Sequence, residues 1–218
     1  MGAFWGPGGG RRSRLRLSHN RGVSSRIREL EQQLESAEKQ LRLFQRVSRY
    51  MGRDVKLTDA LQGVVALMVE FLQCDSCLVY LLDGDRLVLC ASNNPDTDPV
   101  GHVHLKLDEG LTGWVARERR LLAISREAFN DPRFKYFKDL PQDTFEAFLS
   151  APIRWRNRVV GVINIQHRSA HAHTGGELEM ITTVGEQIGC MLMLAHVTRQ
   201  DAADHLAELV VDTTAVRR

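Results

Sequence analysis

Apolar residues first fall into register at Ile27. Ile27, Leu30, Leu34, Ala37, Leu41, Phe44 and Met51 take the a and d positions of a heptad, Ser48 is the one polar lapse, and Glu, Gln, Lys and Arg lie between them. The pattern predicts a coiled-coil helix over 27–53. So narrow an apolar seam has nothing else to bury it, so the expectation is a homodimer with Ile27, Leu30, Leu34, Leu41 and Phe44 at the interface. The alternative is a helix folding back on its own domain, because about three heptads are marginal alone.

The seam stops near Asp54. Thr58 is placed to cap a second helix over 59–72, with Leu61, Val64, Val65, Met68, Phe71 and Leu72 on one face. "CLVYLL", the turn pair Asp83-Gly84 and "RLVLCAS" then read as a hairpin. The first of these strands is apolar on both faces, which predicts a sheet covered on both sides. "NNPDTDP" is a loop, and "HVHLKL" a short strand. After "LLAI" comes an irregular connector, Ser125 to Thr144. A second hairpin follows, "FLSAPIRW" and "VVGVINIQH", turning at Arg156-Asn157-Arg158. Gly161 inside that strand predicts a close approach of backbone or ligand. Thr174 and Glu177 form a capping box ahead of Leu178, Ile181, Val184, Ile188, Met191 and Ala195 at helical spacing, and the pattern extends towards Leu206 and Leu209. Helix, hairpin, connector, hairpin, helix, with no regular βαβ crossover, is an α+β arrangement.

Charge changes this picture at one end only. Net charge is +2, yet residues 1–28 hold seven arginines and no acid, which leaves −5 for the remainder. Residues 1–26 read as a disordered basic arm. Such an arm suits a polyanion, nucleic acid or an anionic membrane. With no aromatics among its arginines for base stacking, it reads first as a solvated tail. No apolar run reaches the roughly 20 residues of a spanning helix, and "RRSRLRLSHNRG" has no apolar stretch behind it to make a signal peptide. The expectation is therefore a cytoplasmic protein without membrane insertion. Cys74, Cys77, Cys90 and Cys190 sit in apolar segments, consistent with a reducing compartment.

"CDSCLVYLLDGDRLVLCAS", "EGLTGWVARERRLLAI" and "FLSAPIRWRNRVVGVINIQH", in this order and spacing, resemble a GAF domain over 57–197, with a helical extension and tail over 198–218. More narrowly, "DPRFKYFKDLPQDTFEAFLSAPI" resembles the amino-terminal GAF domain of the nitrogen-related phosphotransferase-system enzyme I. The resemblance implies an antiparallel sheet with helices on one face and a ligand pocket on the other, under the connector. Phosphotransfer is not expected to carry over, since that enzyme's phosphohistidine and phosphoenolpyruvate domains have no counterpart in these residues.

Within the family, free methionine-(R)-sulfoxide reductases resemble the "EGLTGW" turn but place a cysteine between its two glycines, where this chain has Thr112. A threonine hydroxyl cannot enter sulfenic acid or disulfide chemistry, and no cysteine lies between 91 and 189. The same cysteine-free span disfavours a bilin. Asn130 lacks the following residues of the cyclic-nucleotide signature. No catalytic residue is assigned. Cys74 and Cys77 read as buried structural cysteines, since no second pair accompanies them for zinc. His167, His171, His173, His102 and His104 read as exposed loop or strand-face histidines, and no metal site is assigned. The cofactor stays open.

What remains is an apolar pocket with a few polar groups. Its candidate ligand-binding residues are Trp114, Phe129, Phe134, Tyr136 and Phe148, with Arg133 for an anionic group. The reading is a non-enzymatic sensory module, dimeric, binding an unidentified small molecule and signalling to an unidentified partner protein through its terminal helices. A ligand-free dimeric adaptor and a nucleic-acid-associated regulator using the arginine arm are the alternatives.

Overall fold

The computed structural model describes the backbone of residues 10–215 apart from 54, 95–99 and 136–144, and side chains over 25–196 outside those gaps. Contacts divide the chain into two units, residues 1–42 and 43–218.

The first unit is the larger part of one helix, α1, Gly10–Met51. The backbone is helical from Gly10, across the boundary drawn at 26/27 between a disordered arm and the coiled-coil helix. The reason is local: arginine and leucine are good helix formers, and no proline lies between Pro7 and Pro95. Ile27, Leu30, Leu34 and Leu41 are 49%, 55%, 61% and 57% exposed, large apolar side chains with mostly charged and amide residues between them.

The second unit is built on a six-stranded antiparallel sheet. Its strands are β1 (Ser76–Asp83), β2 (Arg86–Ser92), β3 (His104–Lys106), β4 (Leu122–Ile124), β5 (Ala147–Trp155) and β6 (Arg158–His167), in the spatial order β3-β2-β1-β6-β5-β4. Two hairpins make up most of it. Asp83 pairs with Arg86, so the first turn is Gly84-Asp85, one residue later than the sequence suggested, with Gly84 at φ +60. Trp155 pairs with Arg158, so Arg156 and Asn157 make the second turn. β6 pairs with β1 and joins the two hairpins into one sheet.

Alternation along the strands sorts two cores. In β1, Cys77 and Val79 face one side, and Leu78 and Tyr80 face the other. The first side is covered by α2 (Leu57–Leu72), by α4 (Gly175–Ala215) and by the last turns of α1. The second side is covered by α3 (Gly110–Glu118) and by the connector, whose one regular turn is a 3-10 helix at Ala128–Asn130. Both faces are therefore helix-covered, as the apolar first strand predicted.

Three details correct the sequence reading on the first side. Thr58 lies inside α2, whose N-cap is Lys56, with no side-chain cap. Phe44, expected at a dimer interface, is partly buried against its own domain, as is Met51. The buried stripe at the end of α1 is Leu43 and Val47, both at 0% exposure, with Tyr50 beyond them. At 100° per residue these positions fall roughly 180–240° round the helix from Leu41. The domain's own core thus takes a different stripe from the one that carries Ile27, Leu30, Leu34 and Leu41. The Tyr50 ring packs against Gly63 of α2, in the space a Cβ there would fill, and Arg46 makes a two-pronged ion pair with Glu70, 2.8 Å at the Nη2–Oε2 arm.

The capping box of α4 is present: Thr174 Oγ1 accepts from the Glu177 amide at 3.3 Å, and the Glu177 carboxylate accepts from the Thr174 amide at 2.6 Å. The segment Gly175–His196 is long and apolar enough, on composition alone, to cross a bilayer, contrary to the run count made on the sequence. Met180, Ile181, Val184 and Ile188 of that segment are buried in the core.

Candidate functional site

The "EGLTGW" turn leads from β3 into α3. Gly110 opens the helix at φ +68, a region that costs other residues more. At Gly113 a Cβ would stand 2.5 Å from the Lys106 carbonyl oxygen, so the glycine is what lets α3 lie against the end of β3. Between them, Thr112 is buried at 6% exposure and points into the sheet. Its Oγ1 accepts a hydrogen bond from Asn164 Nδ2 at 2.8 Å, and Asn164 Oδ1 accepts from Ser150 Oγ at 2.6 Å. Ser150 and Asn164 are cross-strand partners of β5 and β6, exposed at 0% and 1%. A chain of polar groups thus ties α3 to the middle of the sheet, each satisfied by the next. The glycine turn is a packing device, and no thiol lies in it.

The cavity sits one layer further out, between the start of α3 and the connector. It is an open groove of about 570 Å³, lined by Lys106, Asp108, Glu109, Gly110, Trp114, Arg117, Pro132, Arg133, Phe134 and Lys135. Arg133 defines its wall. The guanidinium lies 4.4 Å from the Trp114 ring centroid and is gripped by Asp131 at 2.8 and 2.7 Å. Those hydrogen bonds hold the Asp131 carboxyl below its usual range. Lys135 pairs with Glu109 across the groove, and Glu109 also accepts the Lys106 amide at 3.0 Å. Four cations and two acids line the groove, beside the positive end of a helix. It is a positively biased, polar-walled groove, and this corrects the expectation of an apolar pocket.

The sequence-predicted residues divide accordingly. Trp114, Phe134 and Arg133 come together in the groove. Phe148 does not: it is 3% exposed on β5, inside the core between sheet and α3. Alternation places it there, since a central strand covered on both sides buries every large residue. Phe129 is partly buried in the 3-10 turn and does not line the groove. Tyr136 lies outside the described residues. Lys106, Asp108, Glu109, Arg117 and Pro132 were missed, because charged residues at a turn look like solvated surface until a second segment closes over them. Asn164 and Ser150 did leave a signal, a polar residue in each of two otherwise apolar strands.

Residues 127–134 of the connector are held by backbone hydrogen bonds despite their lack of period. The Ala128 amide donates to Glu146 O, Asn130 to Glu127 O, Asp131 to Ala128 O and Phe134 to Asp131 O, at 3.0, 2.8, 3.2 and 2.8 Å. Three of these four bonds close successive turns, and the Ala128–Glu146 bond ties the segment to the residue before β5. Gly161 faces backbone, the Tyr80 carbonyl of β1, and not the groove.

Cys74 and Cys77 are buried in the first core. Burial pushes the Cys74 thiol up to about 12 and Cys77 well above its ordinary value, the opposite of a reactive dithiol. The histidines are a correction. His167 is 6% exposed, and His171 and His173 gather beside it, with ring centroids 4.0 Å apart for 167–171 and 5.1 Å for 171–173. The turn after β6 brings them together, which spacing alone did not reveal. His102 and His104 are exposed, away from this group.

The chain is 27% identical over 145 residues to a phosphoenolpyruvate-dependent phosphotransferase system protein of Salmonella typhimurium, a match covering 66% of this chain and 19% of that protein. It is 26% identical over 165 residues to the Nif-specific regulatory protein of Azospirillum lipoferum, covering 72% and 26%. The chain thus spans about a fifth to a quarter of the length of these relatives. Among solved structures it resembles the GAF domain of the Acinetobacter phosphoenolpyruvate-protein phosphotransferase, at TM-score 0.66 and 27% identity, covering 74% of this chain and 97% of that one. The free methionine-R-sulfoxide reductase of Neisseria meningitidis, solved with its substrate, shares the fold at TM-score 0.62 and 14% identity, covering 75% and 93%. The model of the GAF domain family matches residues 56–192, nearly the span of the sheet and its covering helices, and the chain belongs to that family.

Proposed function

We propose that this chain is a cytoplasmic, non-enzymatic sensory module that binds a small anionic ligand in the α3–connector groove. GAF domains are regulatory modules, and a Nif-specific regulatory protein is among the relatives. The observation that carries the reading is the groove itself. Lys106, Arg117, Arg133 and Lys135 surround the amino end of α3, with Trp114 and Phe134 offering flat apolar surface beside them. An anion entering there meets cations already oriented by Asp131 and Glu109, and it competes with those acids for them. Catalysis is not proposed: Thr112, hydrogen-bonded to Asn164, occupies the position where the reductases resembled by the turn place a cysteine.

The test is a thermal-shift screen of amino acids, nucleotides and organic acids on the full chain. A ligand at one hundred times its dissociation constant adds about 2.7 kcal/mol, enough to move the midpoint by several degrees. Trp114→Ala and Arg133→Ala should each abolish most of the shift, whereas Arg158→Ala, in the β5–β6 turn, should leave it. A ligand whose effect survives both groove variants binds elsewhere. No stabilising compound at all would favour the ligand-free adaptor.

The exposed seam supports homodimerisation as the second half of the proposal. Four large apolar side chains on one stripe of α1 are left over by the domain's own core. We expect wild-type dimers at micromolar concentration in analytical ultracentrifugation, and monomers for Leu34→Glu with Leu41→Glu. Two buried charges facing their own copies have no partner to offset them. A wild-type chain already monomeric at that concentration would remove this half of the reading. Signalling would then be a shift between two packings of the dimer helices, biased by ligand.

A further inference from the structure

His167, His171 and His173 are the part of the molecule that neither the groove nor the dimer seam uses. They converge from the end of β6 and the loop that follows it. Each offers a ring nitrogen, and the three nitrogens lie within 4.8 Å of one another. The scaffold around them is fixed. The His167 carbonyl accepts the Glu146 amide at 2.9 Å, and the His171 amide donates to the Ser125 carbonyl at 2.9 Å. The Arg168 amide donates to Asp75 at 2.8 Å. The loop is therefore pinned to the connector and to the start of β1.

Two features of the cluster are not those of packed aromatic core. His173 Nε2 is buried without a hydrogen-bond partner, a lone pair or a proton left with nothing to meet. Glu177, in the first turn of α4, holds His171 Nε2 at 2.9 Å while Thr174 holds its other oxygen at 2.6 and 3.0 Å. A carboxylate orienting one imidazole beside two others is the arrangement that second shells of histidine metal sites use.

We propose that His167, His171 and His173 bind one divalent transition-metal ion of the zinc class, with Glu177 orienting His171. Three imidazoles with a carboxylate behind them suit zinc, cobalt or copper, whereas magnesium and calcium prefer oxygen donors. Tetrahedral coordination at ~2.0–2.1 Å puts ligand nitrogens about 3.4 Å apart, so the cluster closes slightly on binding. At least one ring must also turn. His167 and His171 are stacked at 14°, and two parallel rings cannot both aim their lone pairs at one point. Glu177 holds Nε2 of His171 and leaves Nδ1 for the metal. The ion would clamp the amino end of α4, the helix that continues to Ala215, to the end of the interior strand β6.

The experiment uses the full chain without an affinity tag, stripped with a chelator, then titrated with zinc and, separately, with cobalt. We expect one zinc per chain at micromolar affinity or tighter, and a melting temperature raised by about 5–10 °C at one hundred times the dissociation constant. Cobalt should give visible bands of an imidazole-ligated tetrahedral ion. His171→Ala and His173→Ala should each weaken binding at least 100-fold, and Glu177→Gln about 10–100-fold. The His102→Ala, His104→Ala double variant should bind as wild type does. Far-UV circular dichroism separates lost ligation from lost fold, and His171→Asn serves if the alanine variant unfolds. Millimolar or absent binding overturns the proposal. So does affinity unchanged in both loop variants, or a thiolate charge-transfer band that disappears with Cys190→Ser.

Discussion

Gly189→Ala should destabilise the protein by about 2–3 kcal/mol, although the change adds the best helix former to the interior of a helix. Propensity alone predicts a gain of up to ~1 kcal/mol. The opposing term is packing. Gly189 lies on the face of α4 that touches β5, and a Cβ there would fall well inside van der Waals distance of the Arg154 carbonyl oxygen. That neighbour is backbone of a strand paired with β6, so it cannot swing aside as a side chain would. Relief requires lifting α4 from the sheet, and with it Ile188 and Val184 from the first core. One turn earlier, Gly185 faces the same strand with its nearest atom, Pro152 O, at 3.4 Å, an ordinary contact. Gly185→Ala should therefore be neutral or slightly stabilising. Chemical denaturation of the two variants measures opposite signs from one substitution on one helix face. For a chain of this size the first loss lowers the melting temperature by roughly 5–10 °C. Equal effects at both positions would mean that α4 is not held this close to β5.

Asn164→Leu should cost about 3 kcal/mol, in spite of placing an apolar side chain in an apolar core. The change strands two buried hydroxyls at once: Ser150 Oγ loses its acceptor, and Thr112 Oγ1 loses the amide it accepts. Each unsatisfied buried group costs about 1–3 kcal/mol, against ~1 kcal/mol for a made hydrogen bond. That asymmetry gives a sharper second arm. The triple variant Thr112→Val, Ser150→Ala, Asn164→Leu removes every polar partner together and should recover most of the loss. If the single variant is as stable as wild type, the chain of hydrogen bonds between α3 and the sheet does not form in solution. Because α3 also carries Trp114, a loosened α3 should weaken any ligand in the groove along with stability.

Most of the architecture could be read from short-range pattern. Both hairpins, the both-sides-buried first strand, the capping box at Thr174 and Glu177, and the helical period of α2 and α4 are local properties. A period of two or 3.6 residues is imposed by backbone geometry wherever one face is buried. Motif order was enough to point to the family, because the residues carrying it are those that shape turns and close approaches. The misreadings fall at element ends and between distant segments. Thr58 looked like a cap because capping residues also occur inside a first turn. Phe44 belonged to the heptad by spacing, yet the domain's core claimed that part of α1 through Leu43 and Val47.

The sites needed the tertiary structure. Trp114, Arg133 and Phe134 stood out as aromatic and basic residues near a glycine turn. Their partners Asp131, Glu109 and Lys106 were ordinary surface charges until the connector folded over α3. Phe148 looked the same as Phe134 in composition, and only strand alternation inside a covered sheet put one in the core and the other in the groove. His167, His171 and His173 lie on a strand end and an irregular loop, where no period predicts direction. Their convergence is set by the Ser125–His171 and Glu146–His167 backbone hydrogen bonds, each joining segments more than 20 residues apart in sequence. Local pattern determines which face of an element is buried. Which two elements meet, and so which side chains share a site, is decided by non-local pairing that a single sequence does not display.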